Sequence, residues 1–408
     1  MSRFLFVVPP LAGHVNPTVS AGRELARRGH DVAWTGLPGA VDALLPPGSE
    51  FLPAGSPEAL GHVDDLRQRS QGLRAAAAFK FLWENVLLPL AYAMVDGVDD
   101  VVAAWAPDVV VADQQTLAGA AVARRRGLPW ATSATTSAEL VDVLAGLPLA
   151  ERWVDEQVGR FQADAGVPEH LRSNHLLRFS EHLVLVFSSR RLVGEHLTFP
   201  DHYAFVGPAI ADRPEADGDF PWAWLDEPPG APRVPRVLVS LGTVNALAGE
   251  RFYGVVAEAL ADEPVRAVLV APPGAVAHTP ANVLVRQRVP QLALLPHLDA
   301  VVSHGGHNTV CETLAHGLPL VVAPIRDDQP VVADQVVRAG AGLRVRFGRV
   351  RAPELRAAVR TVLDEPAYRA AAGTVRQSFL AAGGAPAAAR RLESLCVPAP
   401  VPVTDPAG

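Results

Sequence analysis

Residues 303–317, SHGGHNTVCETLAHG, put His304, His307, Asn308, Thr309 and Glu312 at one strand-to-helix junction, just after the apolar run DAVV. Three chemistries suit those residue types at that spacing. Asn308 or Thr309 can cap the helix that follows, and Thr309 with Glu312 three residues on has the form of a capping box. A helix N-terminus behind Gly305 and Gly306 is also an anion site, because its free N–H groups and dipole point outward, and His304 adds a donor for a phosphate oxygen. The H-x-x-H spacing could instead hold zinc. Zinc needs a third and a fourth ligand, the cysteines do not cluster with this motif, and Cys311 reads as core, so no metal site is expected.

His14 stands just past the apolar run RFLFVVP and two residues before Asn16. The positive end of a helix beside it disfavours the imidazolium and tends to keep the ring a neutral base. A carboxylate behind the ring would fix its tautomer and stabilise the charge formed on proton abstraction. Asp113, closing VVVAD, belongs to the same sheet edge and fits that part; the plainer reading is a loop histidine and a helix-capping aspartate. In SLGT (240–243), Ser240 and Thr243 offer hydroxyls to a phosphate at a second glycine turn. In PIRDDQP (324–330), Asp328 and Gln329 suit the hydroxyls of a sugar, or else form an acid-rich turn.

Positioning these groups requires strand ends. RFLFVVP, HDVAWTGLP and APDVVVAD read as strands of a first α/β half, with a helix over TVSAGRELARRG capped by Asn16, begun by Pro17 and ended by Gly29. RVLVSLGT, VRAVLVAPP, DAVVSHGG and LPLVVAPI read as strands of a second half. Strands alternating with helical patterns imply a largely parallel, doubly wound sheet in each half. Such sheets bind ligands beyond the carboxyl ends of their strands, so two of them can face each other across a cleft. Neither a Walker A loop nor a G-x-G-x-x-G fingerprint is present, which counts against a P-loop NTPase and an ordinary dinucleotide enzyme. The expected divisions are a first domain over 1–210, a linker over 211–234 rich in proline, glycine and acid, and a second domain over 235–375. A terminal helix over 376–396 should pack back on the first domain, ahead of a disordered tail at 397–408.

Composition narrows the partners. At 408 residues, 49% hydrophobic and 19% charged, the chain suits a globular protein of two domains. A net charge of −7 argues against nucleic acid. Two cysteines give no disulfide framework and fit a reducing cytoplasm. The N-terminal apolar run is too short for a signal peptide, and no stretch is long enough to span a membrane. A cytoplasmic location is expected.

The stretch VPQLALLPHLDAVVSHGGHNTVCETLAHGLPLVVAPIRDDQ (289–329) closely resembles the nucleotide-sugar signature of family 1 glycosyltransferases, and GHVNP and SLGT match the same family at the expected places. The resemblance covers essentially the whole chain up to the tail. It implies the GT-B fold: two facing Rossmann-like, doubly wound parallel-sheet domains with a cleft between them. It also implies an inverting, metal-independent enzyme without a cofactor, whose co-substrate is a UDP- or dTDP-sugar. By the same resemblance His14 is the general base and Asp113 its partner. Gln291 lies beside the nucleobase and ribose, His304, Asn308 and Thr309 contact the diphosphate, Glu312 the ribose, and Asp328 and Gln329 the sugar. Two positions depart from the plant members: Arg288 and His307 stand where those carry tryptophans.

The Asp328–Gln329 pair points to a fully hydroxylated hexose such as glucose, with a dTDP-deoxysugar as the alternative donor. Within AAAAFKFLWENVLLPLAYAM (75–94), Phe79 and Trp83 are candidates to line an apolar acceptor pocket. Lys80 is the one lysine, and with abundant alanine, arginine and proline this suggests a GC-rich bacterial genome. An apolar bacterial secondary metabolite, such as a planar aromatic aglycone, is then the expected acceptor. A nucleotide-sugar epimerase of the same fold and a non-catalytic nucleotide-sugar-binding helper are the competing readings.

Overall fold

The computed structural model describes residues 1–56, 69, 73, 76–140, 147–210, 220–226, 230, 232–242 and 249–396. Two parallel sheets organise it. The first has seven strands in the order β3-β2-β1-β4-β5-β6-β7: β1 Arg3–Val7, β2 Asp31–Gly36, β3 Glu50–Pro53, β4 Val109–Asp113, β5 Trp130–Ala134, β6 Leu183–Val186 and β7 Tyr203–Phe205. The second has six, in the order β10-β9-β8-β11-β12-β13: β8 Arg236–Ser240, β9 Arg266–Val270, β10 Val283–Arg286, β11 Ala300–Ser303, β12 Leu320–Val322 and β13 Gly342–Arg344. Every pairing is parallel.

The central strands are nearly continuous apolar runs because helices cover both faces of each sheet. Successive side chains of a strand point to opposite faces. On β1, Leu5 and Val7 accordingly join the core that includes Met94 and Val98 of the helix Leu88–Trp105. Phe4 and Phe6 face the other way, toward Val15, Val19 and Leu25 of the helix Ala12–Arg27. In each sheet the strand order reverses direction at one place, between β1 and β4 and between β8 and β11. That switch point is where a doubly wound sheet leaves a crevice for ligand.

The C-terminal helices join the halves. The helix Pro366–Ala382 packs Ala372, Val375 and Phe379 against Val310 and Leu314 of the second half. The chain then turns at Gly383, and the Gly384 N–H donates to the Val206 carbonyl at 2.7 Å. The last helix, Gly384–Glu393, buries Ala388, Ala389 and Leu392 against the first sheet, while Glu393 pairs with Arg28 at 3.0 Å. Contact with the first half already begins on Pro366–Ala382, where Ser378 Oγ lies 2.7 Å from Ser189 Oγ and Phe379 shares a core with Leu192; that helix runs unbroken through position 376. Of the expected linker, Phe220 and Leu225 are buried against the second sheet; 211–219 and the tail at 397–408 lie outside the described residues.

Candidate active site

The helix Ala12–Arg27 begins four residues earlier than Asn16, with Leu11 as its cap, so Asn16 and Pro17 lie inside it. An interior proline has no N–H for the carbonyl four residues back. That carbonyl belongs to Gly13, and it accepts instead from Asn308 Nδ2 of the second half at 2.9 Å. The early start places His14 in the first turn. Its Nδ1 lies 3.0 Å from each oxygen of Asp113, at the end of β4, and 2.7 Å from Thr135 Oγ1.

Asp113 is 2% exposed. Its carboxylate also accepts from the Gln115 N–H at 2.9 Å and from the Thr135 hydroxyl at 2.9 Å. A ring nitrogen facing a carboxylate must carry the proton, since two lone pairs would otherwise confront each other. Nε2 is then the basic atom. Burial opposes charging the ring, but the field and hydrogen bond of Asp113, joined by Glu139 and Asp328, outweigh it and raise the His14 pKa above its ordinary value. The shift is opposite in direction to the one a helix N-terminus alone would give.

Across the cleft, Ser240 and Ser303 sit side by side at the ends of β8 and β11. Each begins a serine-x-glycine turn: Gly242 N–H donates to Ser240 Oγ at 3.3 Å, and Gly305 N–H to Ser303 Oγ at 3.1 Å. The His304 ring is held between Gly242 and Gly306. A Cβ on Gly242 would stand 2.8 Å from its Cε1, and one on Gly306 2.5 Å from its Nε2. Burial lowers the His304 pKa to about 4, against a weaker opposing hydrogen bond from the Ser240 backbone, so the ring is neutral at neutral pH. Thr243 lies outside the described residues.

The helix His307–Ala315 has Gly306 as its cap, with no capping side chain. The Thr309–Glu312 capping box expected from the sequence is thus replaced. Thr309 is the third residue of the helix, and Glu312, 2% exposed, accepts a hydrogen bond from Gln291 Nε2 instead. His304 and His307 do not converge on a metal either. His307 points back to the first half, 3.2 Å from Ser137 Oγ and 3.3 Å from the Phe187 carbonyl, with buried Cys311 Sγ 3.4 Å from its Nε2. Among the described residues one triplet has metal-ligand spacing, Glu151, Asp155 and His175; it lies on other elements, and His175 already bonds Asp155 at 2.8 Å.

The segment SATTS (133–137) at the end of β5 is the feature the sequence reading passed over. Thr135 joins His14 and Asp113, Thr136 Oγ1 donates to Asp328 Oδ2 at 2.7 Å, and Ser137 Oγ donates to Gln335 Oε1 at 2.6 Å. Three consecutive hydroxyls thus reach five partners, three of them, His307, Asp328 and Gln335, in the other half. No periodicity marks such a run; its position one strand beyond Asp113 was the available signal. Burial raises the Asp328 pKa to about 6, with Asp327 and Glu139 adding to the effect while Thr136 and His14 oppose it. Gln329 Oε1 accepts the N–H groups of Ile325 and Arg326 at 2.9 and 3.1 Å. Its carbonyl is committed to the turn, and its amide N–H groups remain the part suited to a ligand.

Of the acceptor-side candidates, Trp83 is core, 1% exposed, with Arg178 5.6 Å over its ring, and Phe79 is half-buried beside it. Trp83 opens a π-helical turn, Trp83–Leu87, just ahead of Pro89. Proline cannot donate to the carbonyl four residues back, so the helix loosens there.

The family described as erythromycin biosynthesis protein CIII-like, C-terminal domain, matches residues 257–395. The chain is 30% identical over 414 residues to 4'-demethylrebeccamycin synthase of Lentzea aerocolonigenes, covering 93% of this chain and 96% of that one. It is 27% identical to the NDP-glycosyltransferase YjiC of Bacillus subtilis (strain 168), over 96% of this chain and 97% of the relative. The crystal structure of the glycotransferase of kitacinnamycin superposes with a TM-score of 0.76 at 28% identity, covering 97% of this chain and 98% of that one.

Proposed function

The chain belongs to the family 1 glycosyltransferases of GT-B fold and natural-product type, and from that premise we propose that it moves a hexose, glucose ahead of a deoxysugar, from a UDP- or dTDP-sugar to an apolar aromatic metabolite. The observation that carries this reading is the meeting of His14 and Asp113 at one switch point with the glycine-lined helix terminus of the other, touching through Asn308 and Gly13. Nε2 of His14 takes the proton of an acceptor hydroxyl or amine as the freed nucleophile attacks the anomeric carbon. The new bond forms opposite the sugar–phosphate bond that breaks, so configuration inverts. The diphosphate leaves toward neutral His304, the turns at Gly242 and Gly305, and the helix at 307 with Asn308 and Thr309, which are donors aimed at developing anionic charge.

In this reading Glu312 and Gln291 bind ribose and base, with exposed Arg288 free to stack on the base. The Asp328 carboxylate and the Gln329 amide take sugar hydroxyls, and Phe79 lines the acceptor side. No metal or cofactor takes part, because the donors named above supply the charge. An acceptor screen against UDP-glucose and dTDP-glucose, read by mass, tests the assignment. Transfer should persist in EDTA; transfer that vanishes there and returns with magnesium or manganese would refute the metal-free reaction.

A further inference from the structure

We propose that Thr135 is a positioning residue of the transfer reaction, its hydroxyl being the third member of the His14–Asp113 pair; this rests on His14 acting as the base. Thr135 is 3% exposed at the end of β5, and its Oγ1 lies 2.7 Å from His14 Nδ1 and 2.9 Å from Asp113 Oδ2. The hydroxyl has one proton. That proton is given to Asp113 Oδ2, and the Thr135 oxygen then turns a lone pair toward Nδ1–H.

The two Nδ1–Asp113 distances are equal, 3.0 Å each, so the ring N–H lies astride the carboxylate with no preferred oxygen. Thr135 removes that freedom. It closes a triangle in which the ring can neither pivot toward one oxygen nor turn its Nδ1 edge away from Asp113 without breaking hydrogen bonds. When Nε2 takes the acceptor proton, the triangle is already set for the imidazolium: carboxylate and hydroxyl oxygens both face Nδ1–H. The carboxylate in turn keeps its two other donors, the Gln115 N–H on Oδ1 and the Thr135 O–H on Oδ2. Losing a donor from a buried acceptor is costly, because no water replaces it there.

The test compares Thr135→Val, nearly the same shape without the hydroxyl, with Thr135→Ser, which restores it. Acceptors of graded acidity are used, an aliphatic alcohol and an acidic phenol, with calorimetric binding of UDP and dTDP as the check that the fold and the nucleotide site persist. The valine variant should lose roughly 5- to 100-fold in kcat with the alcohol. It should lose several times less with the phenol, which needs less help in giving up its proton, and bind UDP and dTDP as before. Serine should recover most of the loss. Equal losses on both acceptors, no recovery by serine, weakened nucleotide binding or an unchanged rate would each overturn the proposal. His14→Ala run alongside separates the two ideas: if it leaves the alcohol reaction intact, the base assignment itself fails, whereas a large loss there with no loss in Thr135→Val removes Thr135 alone.

Discussion

At the ends of β1 and β4 two ionisable side chains are brought together inside the protein, whereas at the ends of β8 and β11 side chains are largely withheld. His14 and Asp113 function by partnership: burial alone would discharge the ring, and the carboxylate beneath reverses that. Among the described residues, no carboxylate plays that part beside His304 in the second half. Gly242, Gly305 and Gly306 leave backbone near His304, whose ring is discharged by burial and stays so. Both regions occupy the switch point of a sheet, and the two sheets share the same order over six strands, the first sheet adding β7 at its edge. The fold therefore provides the place, and the residues at the strand ends decide whether it holds a base or an anion site.

If the regions divide the work in this way, substitutions should separate their effects. The largest is expected at His14. General-base catalysis is worth about 10²–10⁴-fold, and His14→Ala should lower turnover of a non-acidic alcohol acceptor by that order. UDP and dTDP affinity should stay unchanged, since those contacts lie across the cleft. Near-full turnover by a folded His14→Ala protein would break the comparison at its base.

Gly306→Ala should do the reverse. Its φ of −60° suits alanine, but the added Cβ would stand 2.5 Å from the His304 ring, which Gly242 confines from its other side. Overpacking of this kind costs about 1–3 kcal/mol, so nucleotide affinity should fall roughly tenfold while the His14 pair remains intact. Unaltered UDP and dTDP binding would mean that the ring has room to move and that the turn is not a fitted cradle.

Much of this division was legible in the sequence. Long apolar runs ending in a polar residue, such as VVVAD and RVLVS, marked the central strands and placed Asp113 and Ser240 at their ends. The outer strands β3, β7, β10 and β13 are three or four residues long and carry too little periodicity to stand out. Local rules misplaced two helix starts. Asn16–Pro17 and Thr309–Glu312 have the form of caps, but Gly13 and Glu312 find their partners in Asn308 and Gln291, far along the chain. For the hydroxyls of Thr135, Thr136 and Ser137 the place one strand beyond Asp113 was the whole signal, since their partners come from other elements and from the other half.

The smallest expected effect tests whether the two regions sense each other. A raised His14 pKa means the ring is protonated at pH values where a free histidine is already neutral. Since the base must be neutral to act, the acid limb of kcat/KM should fall above pH 6.5, with activity lost as pH drops through it. Asp113 is the first contributor holding that pKa up, and Asp328, from the other half, is the last. Asp113→Asn should therefore shift the acid limb clearly to lower pH, along with a rate loss smaller than that of His14→Ala. Asp328→Asn should shift it in the same direction by less, whatever it does to the height of the profile through the sugar. The Asp328 pKa of about 6 leaves it charged across most of the limb, so its field is present where the midpoint is read. A limb that moves as far for Asp328→Asn as for Asp113→Asn would mean that the base is governed from both sides of the cleft. One that does not move for either would mean that the titrating group is not His14.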